Sequence, residues 1–397
     1  MPAQRGPQPS LTSSRSNEPR PRGGAPLVSV CMPSFNHAPF LPAAIESVLA
    51  QTYPHVELVI VDDGSTDKSL EIARGYASRH PARVKVFTHD GNAHRGASAT
   101  ANLAFQRSGG GYWCGLSSDD AFVRDKVERQ VTFLGQHAEI GLVYGPATVI
   151  DADGRRLGLT FARDLSRERD PLLSLLEGNC LYARTVMLRR ECLEKVGLRD
   201  EHLEYEDWEL WIRIAAHYKM AFLPGPVAYY RIHTTNTAIG QEPEVHRGRY
   251  FDVMQALEAK TFKVGGSLAH PFTRAMIKLQ LAYLHYCAAD LTSAAQALKA
   301  ALEIEPFVLL DYRFLAGWLI RRQREVALFT RSVANNYIEW FTSHVSGYVP
   351  ADLRRTGYLD PVWRLKFALL LARYGFSARR LLRRAQLRLD AIRARRQ

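Results

Sequence analysis

The sequence lacks several features that would restrict the class of protein. Its five cysteines are scattered over 397 residues without a Cys-x-x-Cys pair, so we expect free thiols in a reducing compartment. No apolar run approaches the roughly 20 residues that a membrane-spanning helix needs. The N-terminal segment has no apolar core typical of a secretory signal. We therefore expect a cytoplasmic protein that binds, at most, the inner face of a membrane.

Most of the chain also lacks net charge. The formal charge is +12, but residues 1–25 carry +3 and residues 373–397 carry +8. No recognisable nucleic-acid-reading module accompanies these basic ends, so we expect no nucleic-acid partner. Leu and Ile alternate with Arg in residues 373–397, which predicts an amphipathic helix that binds an anionic membrane surface. A solvated helix that only improves solubility is the alternative.

The apolar patterning from residue 26 to residue 245 predicts an α/β domain. Four strands are predicted at residues 27–32, 56–61, 84–88 and 112–116, with helices between them at 43–51, 68–78 and 97–107. This alternation favours a doubly wound sheet. Residues 142–150 and 220–230 predict two further strands, and residues 208–217 predict a helix.

Outside this domain the patterns differ. Residues 1–25 are rich in Pro, Gly, Ser and Arg, which is typical of a disordered segment. Residues 246–372 are almost entirely helical in pattern and predict an all-α accessory domain. Within it, residues 282–306 have the spacing of one tetratricopeptide-like helix pair.

Acidic residues follow two of the predicted strands. Asp62 and Asp63 end one strand, and Asp119 and Asp120 follow another. Ligands of such sheets bind at the carboxyl ends of the strands, which also points to Pro33, Ser34, Phe35 and Asn36. The first pair could accept hydrogen bonds from a nucleobase or ribose, and the second could hold a divalent cation and a diphosphate. Plain strand-to-helix turns with capping residues are the alternative.

Four further groups are candidates for the chemistry. Glu206 and Asp207 open a helix and could supply a general base, or they could simply compensate the helix dipole. Trp208, beside them, could contact an acceptor or belong to the core. His233 could bind a metal or a diphosphate, and Arg95 could pair with phosphate, but a structural histidine and a solvated arginine are the alternatives.

The order of these segments resembles the family 2 inverting glycosyltransferases, which have the GT-A fold. The matching segments are VSVCMPSFN at 28–36, SVLAQTY at 47–53, ELVIVDDGSTD at 57–67, SSDD at 117–120, EDWELWIR at 206–213 and YRIH at 230–233. The resemblance covers about half of the chain. It implies that Asp63 binds a uracil-type base with support from Asp62, and that Asp119 lies near the ribose and the metal. It also implies that Asp120 ligates Mn²⁺ or Mg²⁺ and that Asp207 is the catalytic base.

The sequence departs from the family pattern at two points. Ser117 stands where an acid usually begins the Asp-x-Asp motif, so we expect metal binding to depend on Asp120 together with His233. The Gln-x-x-Arg-Trp motif of processive synthases is absent, which favours transfer of a single sugar. The resemblance thus implies an enzyme that moves a sugar from a UDP-linked donor to a glycan or lipid-linked acceptor with inversion. A catalytically silent nucleotide-sugar-binding adaptor is the alternative.

Overall fold

A seven-stranded mixed sheet forms the centre of the computed structural model, which describes residues 24–305 and 337–345 apart from 162, 169, 235 and 237–242. Its strand order is β10-β6-β9-β4-β1-β2-β3, and a second sheet has the order β5-β11-β7-β8. The strands are β1 Val28–Ser34, β2 Val56–Asp62, β3 Val84–Thr88, β4 Tyr112–Gly115, β5 Ala121–Phe122, β6 Ile140–Tyr144, β7 Ala147–Ile150, β8 Arg156–Phe161, β9 Met187–Arg189, β10 Lys219–Phe222 and β11 Ala228–Arg231.

Helices cover both faces of the large sheet. They are α1 Leu41–Leu49, α2 Ser69–Arg79, α3 Ala97–Gln106, α4 Lys126–Gln136, α5 Pro171–Glu177, α6 Arg190–Val196, α7 Glu206–Ala215, α8 Pro243–Val264, α9 Pro271–Cys287, α10 Leu291–Ile304 and α11 Tyr337–Val345. Strands β1 and β2 are buried on both sides, as their nearly continuous apolar runs require. Since β1 is parallel to both β2 and β4, the residues that follow these strands meet at one edge.

Two of the strand predictions were wrong in the same way. Residues 142–150 form two strands, β6 and β7, that belong to different sheets, and residues 220–230 form β10 and β11, which are divided in the same manner. Gly145-Pro146 interrupts the first segment and Pro224-Gly225-Pro226 interrupts the second. Proline cannot donate to a strand ladder, so each segment leaves the large sheet there and enters the small one. The two segments pair with each other in both sheets, because β6 is parallel to β10 and β7 is parallel to β11.

The helical region packs directly on the α/β domain. One apolar core runs from the sheet through Trp211 on α7 to Met254 on α8 and Leu281 on α9. The predicted helix pair at 282–306 corresponds to the end of α9 and to α10, which contact each other closely. In the part of the chain that the structure describes, no helix has the length and apolar content needed to cross a membrane. Residues 1–23 and the basic segment 373–397 lie outside the described residues.

Candidate active site

A cavity of about 890 Å³ opens at the carboxyl edge of the large sheet. Pro33 and Ser117 line it from the ends of β1 and β4, and Asp207 lines it from the first turn of α7. Helices α8 and α9 close another side with His246, Tyr250 and Tyr283, among other residues. The cavity is therefore bounded by both the α/β domain and the helical region.

The two residues of the first acidic pair, Asp62 and Asp63, have different structural roles. Asp62 accepts hydrogen bonds from Ser65 N at 2.9 Å and from Ser65 Oγ at 2.7 Å, so it fixes the turn after β2. Asp63 accepts from Arg95 N at 2.6 Å and from Gly96 N at 2.9 Å, while the Arg95 side chain is exposed. Gly64, with φ of 78°, has no room for a side chain, because a Cβ would lie 2.8 Å from Asn92 O.

Residues 33–36 place an aromatic ring and a polar turn beside Asp63. The carbonyl of Ser34 accepts a hydrogen bond from Asp63 N at 2.8 Å. Phe35 is 40 % exposed and packs against the His94 ring with 4.4 Å between centroids. Asn36, with φ of 52°, accepts from Thr66 N at 2.8 Å. The exposed face of Phe35 leaves a surface on which a planar base could stack.

The second acidic pair faces two different environments. Asp119 Oδ2 lies 3.1 Å from His233 Nε2, and one ligand atom from each of His37, Asp119 and His233 lies within 4.8 Å of the others. Asp119 Oδ1 is buried and has no hydrogen-bond partner among the described residues. Asp120 Oδ1 instead accepts from Arg231 N at 2.9 Å, and its Oδ2 pairs with Arg184. The structure thus brings Asp119 and His37, in place of the expected Asp120, to His233.

Buried charge gives these groups shifted pKa values. Burial raises the pKa of Asp120 to about 7, with Arg184 opposing the rise and Asp119 adding to it. Burial lowers the pKa of His37, although the carboxylate of Asp119 acts in the other direction. His37 is therefore neutral near pH 7, which is the form that ligates a metal.

Asp207 and Glu206 lie at the start of α7 and have separate partners. Asn179 Nδ2 donates to Asp207 Oδ1 at 3.3 Å, and Arg199 Nη1 donates to Glu206 Oε1 at 2.7 Å. Burial raises the pKa of Asp207, against the positive charge of Arg199. Burial also raises the pKa of Glu206 to about 7, and there Arg199 again opposes the rise while Asp207 adds to it. A carboxylate whose pKa is raised is a stronger base, which suits proton removal from a hydroxyl.

Trp208 belongs to the wall of the cavity and to the core behind it. It is 2 % exposed, its Nε1 donates to Leu175 O at 2.7 Å, and its ring packs on Tyr250 at 4.6 Å between centroids. Tyr205 and His246 carry more accessible rings beside it. These contacts join α7 to the helical region at the edge of the site.

Comparisons with known proteins identify the family of the chain. Residues 29–197 match the model of glycosyl transferase family 2. An uncharacterised glycosyltransferase of Haemophilus influenzae is 32 % identical over 198 residues, which span 50 % of this chain and 75 % of the relative. A second, from Rickettsia typhi, is 30 % identical over 228 residues, which span 55 % of this chain and 69 % of the relative. The chain belongs to glycosyl transferase family 2.

One further relative and one solved structure are also similar to this family 2 glycosyltransferase. TuaG of Bacillus subtilis, a glycosyltransferase named for teichuronic acid biosynthesis, is 34 % identical over 166 residues, which span 42 % of this chain and 63 % of TuaG. Residues 1–349 of S. aureus TarS, solved with UDP-GlcNAc, superpose with a TM-score of 0.52 at 18 % identity, covering 88 % of this chain and 92 % of that one. The fold is therefore GT-A, as the sequence predicted.

Several residues of this glycosyltransferase's site were missed from the sequence. His37 follows Asn36 directly, so the strand-end rule that selected residues 33–36 could have included it. Arg184, Arg199 and Asn179 lie in loops without a periodic pattern, and their contacts depend on residues far away in the chain.

Proposed function

We propose that this protein transfers one sugar from a UDP-linked donor to an acceptor hydroxyl, with inversion and with help from a divalent cation. The carrying observation is that the candidate base Asp207 and Arg184 line one cavity, and that Arg184 pairs with Asp120, the neighbour of Asp119 in the ion-binding cluster formed by His37, Asp119 and His233. Arg184 joins the cluster to the base, because it interacts with Asp120 and Asp119 on one side and acts on the charge of Asp207 on the other. The proposed product is a cell-surface polysaccharide or glycolipid, a proposal that the likeness to TuaG supports.

The residues present fit a divalent cation. Asp119 Oδ1 is buried without a hydrogen-bond partner among the described residues, and a metal or a ribose hydroxyl would supply one. Two imidazoles and one carboxylate, from His37, His233 and Asp119, suit Mn²⁺ better than Mg²⁺, which prefers oxygen ligands. When bound, the cation would neutralise charge on the diphosphate that leaves.

The nucleotide end of the donor would occupy the turn after β2. Each oxygen of Asp63 accepts one backbone hydrogen bond. Oδ2 also lies 3.0 Å from His94 Nδ1, so Oδ1 is the oxygen that would accept from a base N–H. The exposed ring of Phe35 would stack on the base. A nucleotide there places its diphosphate toward the strand ends, where Asp119 lies.

Asp207 would take the proton of the acceptor hydroxyl as that oxygen attacks the anomeric carbon. Asn179 orients its carboxylate, and the raised pKa makes it more basic than an exposed aspartate. Attack on the side opposite the leaving diphosphate inverts the configuration, because the displacement takes place in one step.

Calorimetric titration of UDP, with and without Mn²⁺, tests the donor site. We expect wild-type protein to bind UDP more tightly with Mn²⁺, and Asp119→Asn to lose at least about 10-fold of that affinity. Asp153→Asn, the same change at an exposed aspartate, is the matched control and should bind as the wild type does. Failure of the wild type to bind any nucleoside diphosphate would refute the proposed function. Equal binding by Asp119→Asn would refute the assignment of the cation site alone.

A further inference from the structure

Arg184 is held in the cavity wall by a fixed backbone. It is the middle residue of the short 3-10 turn Ala183–Thr185, directly before β9. Thr185 closes this turn, because both its backbone N and its Oγ1 donate to Tyr182 O at 2.8 Å. The position of the arginine is therefore set by the sheet.

The side chain of Arg184 is oriented by three neighbours. Its guanidinium lies over the Tyr230 ring, 4.1 Å from the centroid, with Tyr182 at 5.7 Å. Its Nε forms an ion pair with Asp120, which is fully buried. These contacts restrict the planar group before any ligand arrives, which reduces the entropy that binding would cost.

The two terminal nitrogens of Arg184 remain available. In the described ranges neither Nη1 nor Nη2 has a hydrogen-bond partner, and the side chain, 15 % exposed, faces the cavity. Arg231 differs, because its Nε donates to Asp119 O and its Nη1 to Asp151 O and Ala152 O. Arg199 differs as well, because it pairs with Glu206. Arg184 thus combines a guanidinium in the cavity lining with terminal nitrogens that no group in the described part of the chain engages.

The charge around Arg184 indicates what those nitrogens would bind. A nucleoside diphosphate that enters the cavity meets the carboxylate of Asp207 in its lining, and the carboxylates of Asp119 and Asp120 lie close enough to interact with Arg184. A cation at the ion-binding cluster offsets part of this repulsion, and a planar guanidinium offsets more by donating two parallel hydrogen bonds to phosphate oxygens.

We propose that Arg184 binds the donor diphosphate through Nη1 and Nη2 and stabilises it as it leaves. This inference rests on the proposed function. In the transfer, the acceptor oxygen bonds to the anomeric carbon and its proton passes to Asp207. The bond from that carbon to the β-phosphate oxygen breaks, and its electron pair stays on the diphosphate, where Arg184 holds the added negative charge.

Binding of UDP and of uridine to variants tests this role. We expect Arg184→Gln to weaken UDP binding about 10- to 100-fold and to leave uridine binding unchanged, since uridine has no phosphate. Arg184→Lys keeps the charge but cannot donate two parallel hydrogen bonds from a planar group, so its UDP affinity should be intermediate. Arg163→Gln, the same change at an arginine that is partly exposed and does not line the cavity, should match the wild type in both titrations.

A double variant separates ligand binding from folding. Arg184→Gln leaves the buried Asp120 without its partner, so Arg184→Gln combined with Asp120→Asn removes both charges together. A folded double variant should show the same selective loss of UDP affinity.

The outcomes are distinguishable. No binding of UDP by the wild type would overturn the proposed function itself. Wild-type UDP affinity in Arg184→Gln, or an equal loss for uridine and UDP, would overturn the role of Arg184 while leaving that function intact. Retained UDP affinity with a selective loss for a UDP-linked uronic acid would place the guanidinium at the sugar and would also overturn it.

Discussion

Carboxylates removed from bulk solvent occur at both ends of the large sheet, and their pKa values are shifted in opposite directions at the two ends. At the amino-terminal edge, Glu57 accepts hydrogen bonds from Ser29 Oγ at 2.6 Å, from Gly109 N at 2.6 Å and from Lys85 Nζ at 2.7 Å. Burial alone would raise the pKa of Glu57, but these donors outweigh it and lower the pKa. At the carboxyl-terminal edge, burial outweighs the partners and raises the pKa of Asp120 and of Asp207.

This difference shows that carboxylates at one edge of the sheet stabilise the fold, whereas those at the other edge are available for chemistry. The Glu57 carboxylate has a donor for each of its oxygens, so its charge is stabilised by the fold. The carboxylates at the other edge are held with fewer donors than they can use, and they remain able to bind a proton or a cation. Active sites commonly keep such groups at some cost in stability.

The largest expected effect comes from Asp207→Asn. Loss of the general base should lower kcat about 100- to 10,000-fold, while the melting temperature should stay the same or rise because a partly desolvated charge is removed. Steady-state transfer or donor-hydrolysis rates and a thermal melt measure the two effects. Activity within about 10-fold of wild type would show that another group, of which Glu206 is the nearest, removes the proton.

Glu57→Gln should affect stability and not activity, the opposite of Asp207→Asn. It should reduce the free energy of unfolding by about 2–3 kcal/mol at neutral pH and leave the activity of the folded enzyme unchanged. The folded-state pKa of Glu57 is lowered, so its stabilisation is present above the ordinary Glu pKa and disappears as the pH falls through the folded value. Denaturant melts should therefore show that the difference in free energy of unfolding between the wild type and Glu57→Gln becomes smaller toward acid pH. Glu71→Gln, at an exposed glutamate of α2, is the control and should show neither effect.

The smallest expected effect is a change in pH dependence. Arg199 opposes the raised pKa of Asp207, so Arg199→Gln should raise that pKa further and move the acid limb of the kcat/KM profile to higher pH. Activity should then fall most in mildly acidic buffer and least at pH above the limb. A profile that coincides with the wild type would show that Arg199 does not act on the base.

The sequence predicted those parts of the site that depend on local pattern. Continuous apolar runs identified β1 and β2, and parallel strands bring their carboxyl ends together, so Asp63 was found at the correct edge. The choice between Asp119 and Asp120 was not predictable in this way. They are adjacent, and the turn after β4 decides which one faces His233 and which one faces Arg184.

Other parts required the tertiary structure. The strand-end rule could have placed His37 at this edge, but its grouping with Asp119 and His233 brings together residues that are far apart in the chain. The parallel pairing of β6 with β10 and of β7 with β11 joins distant segments, as does the hydrogen bond from Leu223 N to Tyr144 O at 2.7 Å. Long-range contacts of this kind are not encoded in a local pattern.

The separation of the ligands in the chain also governs when the ion-binding cluster can form. His37 precedes β2, and His233 lies 114 positions after Asp119, beyond the last strand of the small sheet. Closing such long loops is slow and takes place late, because chain entropy is lost before the contacts are gained. A folding intermediate that contains only β1 to β4 has at most two of the three ligands. Uptake of a divalent ion during refolding would therefore report completion of the whole α/β domain.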